Sequence, residues 1–220
     1  MLPHQCWLCL AWQGPQPVVR RSPSARDVAA PAHSNVCVFL APWMAGNTAL
    51  VAYVLAKEVV TGPRLTDEEC AAARRNRRRA ESAGLLAALF TAVVPGYIAR
   101  STAGSFDNEG VAIFALLATY TLWVRAVHTG SVAWAGATAV AYLYMASAWG
   151  GYVFIINIIP IYVVVMVVAG RYSARLYVAY CTFYTIGSLL AMQVPFVGFN
   201  VVGQAECAAS HGVFVLLQGG

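Results

Sequence analysis

Asp107 and Glu109 stand one residue apart in the stretch 102–111, TAGSFDNEGV, immediately ahead of a long uncharged run. Two carboxylates at i and i+2 on a loop can turn their oxygens toward one hard divalent cation, and Arg100, just upstream, can meet a phosphate. The same residues also suit the start of a helix, with Asp107 as N-cap and Glu109 complementing the positive end of the helix dipole. Acidic residues at helix starts are commoner than metal sites, so spacing alone leans toward capping. The six cysteines offer less: Cys6 and Cys9 form one C-x-x-C with no second pair and no suitably spaced His, which argues against zinc. Cys37 and Cys181 fall in apolar runs and read as packing residues.

The elements that must position the acidic stretch are membrane helices. Of the 220 residues 60% are apolar and 10% charged, whereas charged residues make up roughly a quarter of a soluble domain. No Asp, Glu, Lys or Arg occurs between Arg125 and Arg171, or between Arg175 and Glu206. At about 20 residues per crossing, the first interval holds two spans and the second holds one. The expected fold class is an all-α polytopic membrane protein with six spans, near 35–56, 82–99, 110–127, 131–148, 152–169 and 176–194. Residues 1–34, a short apolar start followed by a Pro, Ser and Arg mixture, are expected to be poorly ordered or foreign to the fold. Pro42, Gly46 and Asn47 are expected to break the first span near a third of its length. Residues 57–81, with ARRNRRR, form a solvated loop or short surface helix. Small residues in AGLLAALFTA suit close helix contact, Trp134 and Trp149 suit the two interfaces of the fourth span, and Asn157 and Pro160 fall inside the fifth.

Orientation follows from charge. Lys57 with the ARRNRRR run, Arg125 with His128, and Arg171 with Arg175 fall on one side when spans alternate, and that side is cytosolic by the positive-inside rule. The loop 100–109 then faces away from the cytosol. Arg20, Arg21 and Arg26 would land on that far side against the rule. The net charge of +5 is concentrated in local clusters with little aromatic interleaving, which argues against a nucleic-acid partner.

Several long segments carry a resemblance: VCVFLAPW, VPGYIARSTAGSFDNEGVAIF, WGGYVFIINIIP, GRYSARLYVAYCTFY and MQVPFVGF. In this order they resemble the catalytic-subunit family of the eukaryotic oligosaccharyltransferase, from about Asn35 onward except for 61–82. The resemblance implies a C-superfamily glycosyltransferase of the endoplasmic reticulum membrane. Its substrates would be a dolichyl-diphosphate oligosaccharide and the Asn amide of Asn-x-Ser/Thr sequons in a polypeptide, and other oligosaccharyltransferase subunits and membrane lipids would be its partners. It further implies that Asp107 and Glu109 are the second of two acidic motifs holding Mg²⁺ or Mn²⁺ in a lumenal loop. Arg100 matches the family's loop arginine, which suits charge compensation near the lipid diphosphate or near the carboxylates. A plain interfacial anchor remains open for it. Trp149, Gly150 and Gly151 match as packing and turn residues.

The chain also departs from the family pattern. The first acidic motif, Asp-x-Asp, should precede Asn35, and residues 1–34 contain only Asp27. The WWDYG motif that reads the sequon hydroxyl is absent, as is a later loop carrying a Glu, and 61–82 is longer and more charged than the family's turn. The expectation is therefore an interior piece of the enzyme, inactive by itself. Two other classes stay open from the residues alone: a non-catalytic membrane scaffold or assembly subunit, and a transporter suggested by the helix interrupted at Asn157 and Pro160.

Overall fold

A computed structural model describes residues 26–62, 70–102, 108–195, 197–199, 203 and 205–219, and no strand occurs among them. The chain is all-helical: α1 (Arg26–Thr61), α2 (Cys70–Val93), the single turn α3 (Pro95–Ile98), α4 (Asn108–Thr129), α5 (Val132–Ala148), α6 (Tyr152–Val168), α7 (Ala174–Met192) and, after a 3₁₀ turn at Ala205–Cys207, α8 (Ala208–Gln218). Among the described residues two stretches, Val38–Thr61 and Asn108–Thr129, are long and apolar enough to cross a membrane. At 17 residues, α5 and α6 are about 25 Å long, near the short end of what a bilayer core of about 30 Å accepts.

Several boundaries differ from the sequence expectation, each for an identifiable reason. Helix α1 begins at Arg26, ahead of Asn35, where Ala29, Ala30 and Ala32 favour helix. It also runs unbroken through Pro42, Gly46 and Asn47, since its packing against α2 and α4 outweighs local propensity. Residues 70–81, expected in the loop 57–81, extend the second apolar run as one helix. Ala and Arg are good helix formers, and Arg77 Nε donates to Glu81 Oε1 at 3.1 Å one turn on. Helix α2 stops where Pro95 cannot continue it: Val94 is extended at φ −57°, ψ 119°, and Pro95 opens α3.

Two packing units share α4. On one side α1 lies against both α2 and α4, and its contact with α2 is so close that a Cβ on Gly84 would stand 2.7 Å from the Tyr53 ring. On the other side α4 to α8 enclose the core, with Tyr142, Met145, Ile155, Ile156, Ile159, Tyr180 and Phe183 fully buried. The ring of Trp123 meets Phe183 at 5.8 Å and Tyr180 at 6.4 Å, and Tyr142 meets Phe183 at 5.7 Å. Buried Ala112, Ala115, Ala126, Ala135 and Ala139 let the α4 and α5 backbones approach. Helix α8 is tied to α7 where Tyr180 Oη donates to Ser210 O at 2.9 Å and Tyr184 meets His211 Nδ1 and stacks on Phe214. The outer face of α2 is apolar and exposed at Leu85, Leu86, Leu89 and Phe90; so large a contiguous apolar surface suits a lipid surround.

Candidate functional site at the start of α4

Helix α4 starts at Asn108, which puts Glu109 in its first turn, where a carboxylate is favoured by the unpaired N–H groups. Arg100 follows α3 after one residue and reaches back across the loop: its Nη1 donates to Glu109 Oε2 at 3.0 Å. Of the two partners open to Arg100, carboxylate or phosphate, the structure therefore brings it to the carboxylate. The pair is 50% and 29% exposed, so it contributes at most about 1 kcal/mol to stability. Its consequence is positional, joining the two ends of the loop. Asp107 lies outside the described residues.

Beneath this ion pair is a buried clasp that sequence reading missed. Tyr97, on α3, is 7% exposed, and its Oη donates to Thr48 Oγ1 of α1 at 2.7 Å and lies 3.4 Å from the Gly110 carbonyl of α4. Thr48 is fully buried and donates in turn to Met44 O at 2.7 Å. Three helices are thus connected through one phenol, and the loop leaves α3 and enters α4 from fixed points. Arg100 N donates to Tyr97 O at 3.1 Å and Ser101 Oγ donates to the same carbonyl at 2.7 Å, which secures the loop's first residues. Gly110 lies close beneath Arg100, and a Cβ there would stand in ordinary contact with Arg100 O at 3.6 Å. The available signal was the polar pair Asn47 and Thr48 inside an apolar run, where a polar group demands a partner in a bilayer.

Chemically, the described residues supply one carboxylate beside one guanidinium. Among the described residues no three His, Cys, Asp or Glu side chains gather as a metal would require. Glu109 fits as one ligand of a hard cation, since its Oε2 accepts from Arg100 and a carboxylate has a second oxygen to offer. A full shell of about six oxygens needs further donors. Trp149 and Gly151 stand as a turn, the indole folded so closely that a Cβ on Gly151 would meet it at 2.1 Å.

Residues 73–219 match the family model described as "Oligosaccharyl transferase STT3, N-terminal". The chain is 56% identical over 184 residues to the dolichyl-diphosphooligosaccharide–protein glycosyltransferase subunit STT3B of Oryza sativa subsp. japonica, covering 84% of this chain and 23% of that protein. It is 51% identical over 184 residues to the subunit STT3 of Dictyostelium discoideum, with the same coverages, and 50% identical over 184 residues to the subunit stt-3 of Caenorhabditis elegans, covering 84% and 22%. The chain thus spans under a quarter of the length of these curated relatives. The clasped loop lies inside the matched region, and the chain belongs to the oligosaccharyl transferase STT3 family.

Proposed function

We propose that the chain forms part of the membrane body of an enzyme that transfers an oligosaccharide from dolichyl diphosphate to the Asn of Asn-x-Ser/Thr sequons. The observation that carries this reading is the Arg100–Glu109 pair at the start of α4, held from below by Tyr97, within a chain whose relatives are named for that transfer. In this reading the fold is part of a C-superfamily transmembrane domain with six spans in the endoplasmic reticulum membrane. Residues 100–109 face the lumen, and other oligosaccharyltransferase subunits cover part of the exposed helices.

Asp107 and Glu109 would hold Mg²⁺ or Mn²⁺, which when bound supplies positive charge to offset that developing on the leaving diphosphate. Arg100 compensates carboxylate charge at Glu109 and presents a guanidinium suited to a phosphate oxygen. Tyr97 and Thr48 act through position, keeping the loop's ends where α1, α3 and α4 meet. The test is made in a full-length relative carrying this segment. Glu109→Gln and Asp107→Asn should each remove most sequon glycosylation while membrane insertion and assembly stay intact. Asn caps a helix nearly as well as Asp, so full activity of Asp107→Asn at limiting Mn²⁺ would reduce the acidic pair to a capping role.

A further inference from the structure

At the other end of α4, about 28 Å along the helix from Glu109, the ends of α1, α4, α5 and α7 surround an open pocket of about 750 Å³ lined by Lys57, Glu58, Arg125, His128, Trp134 and Arg175 among others. Its charge is unbalanced: three cations face one carboxylate. Arg125 Nη1 stands 3.8 Å from Glu58 Oε1, longer than a hydrogen bond, and its guanidinium lies 4.2 Å over the Trp134 ring. Lys57 Nζ lies 5.7 Å from the Tyr53 ring centroid. Arg175 Nη1 donates to His128 O at 3.3 Å, one of the five N–H groups a guanidinium carries. His128 also lines the pocket, and its backbone carbonyl accepts that Arg175 hydrogen bond.

The turn after α4 packs on one wall of the pocket. Gly130 ends α4 with φ +66°, and a Cβ there would stand 2.8 Å from Arg175 Cγ, so the turn and the stem of Arg175 are packed on each other. Beside the charged wall, Val59, Val60 and Val132 are exposed. Cations, an interfacial Trp and exposed aliphatic residues at the ends of membrane-crossing helices match the layer where lipid headgroups and the first acyl carbons lie.

We propose that this pocket binds the phosphate of an anionic membrane lipid at the face opposite the acidic loop. The cations meet the phosphate oxygens. This rests on the chain crossing the membrane as read above. The pocket stands at the opposite end of α4 from the Arg100–Glu109 pair.

Native mass spectrometry of the purified chain in neutral detergent tests it, with dioleoyl phosphatidic acid, dioleoyl phosphatidylcholine and the water-soluble glycerol 3-phosphate as probes. Phosphatidic acid should bind at least about fivefold tighter than phosphatidylcholine, and Lys57→Gln should remove about fivefold of that preference, the usual effect of one interfacial cation. Lys57→Arg should keep it, which separates loss of charge from loss of fold, and Arg171→Gln, in the neighbouring turn but outside the pocket, should leave it unchanged. Equal binding of the two lipids, or an equal loss in Arg171→Gln, would overturn the pocket. Displacement of phosphatidic acid by matched glycerol 3-phosphate would overturn the lipid assignment. Alkaline carbonate extraction of microsomes keeps the two readings apart: a chain released by carbonate overturns the membrane reading itself, whereas an integrated chain without lipid preference overturns the pocket alone.

Discussion

A single phenolic oxygen determines where the candidate site begins and ends. Tyr97 Oη ties α3 to both α1 and α4 through hydrogen bonds, and a net buried hydrogen bond is worth about 1 kcal/mol. Tyr97→Phe should therefore lower thermal stability modestly while loosening the loop. In a full-length relative carrying this segment, sequon glycosylation should fall more than the stability loss accounts for. Thr48→Val removes the acceptor and leaves Tyr97 Oη with Gly110 O alone at 3.4 Å. The double variant Tyr97→Phe/Thr48→Val should lose less than the two single variants together, and a double-mutant cycle in detergent melts measures that coupling. Simple additivity would mean that the two hydroxyls act apart.

Helix contacts here are set by where side chains are missing. Gly84 lies against Tyr53, with the hypothetical Cβ at 2.7 Å and 2.9 Å from ring carbons and 3.0 Å from the Tyr53 carbonyl oxygen. The backbone oxygen cannot rotate away as a side chain can, so Gly84→Ala should part α1 from α2 and destabilise by about 1–3 kcal/mol. Gly136, inside α5, has nothing within 4 Å of its Cβ position. Gly136→Ala should stabilise by up to about 1 kcal/mol, because Ala loses less entropy on entering a helix. Melting temperatures of the two variants, read in the same detergent, should move in opposite directions. A parallel rise would show that α1 and α2 are not in close contact.

Across the whole molecule the two polar regions stand at opposite ends of α4, the acidic loop at its start and the basic pocket at its finish. Helices α1 and α4 end side by side, with Glu58 next to Arg125, so Lys57, Arg125 and Arg175 share one end of the bundle. In the proposed orientation, which follows the positive-inside rule, that end is cytosolic. A glycosylation acceptor tag inserted after Ser105 should be modified in microsomes, and one inserted after Gly62 should not. The reverse pattern would invert the orientation and move the basic pocket to the lumen.

Helical class, the approximate positions of the apolar helices and the grouping of basic loops were legible in the chain alone, because hydropathy over 17 or more residues is a local sum that packing does not alter. Glu109 as a first-turn acid of α4 was legible for the same reason. The extension of α2 back to Cys70 was obscured, since an Arg-rich run reads as solvated whether or not it is helical. Contacts between distant residues were not legible at all. Nothing in the order of residues says that Tyr97 reaches Thr48 or that Arg100 turns to Glu109. Nor does it say that Lys57, Arg125 and Arg175, grouped on one side of the membrane by charge, line one pocket. Those pairings depend on which helices pack together and at what rotation, and that is decided by steric fit at places such as Gly84 against Tyr53 and Gly130 against Arg175, where the absence of a Cβ brings two elements close enough for their polar groups to meet.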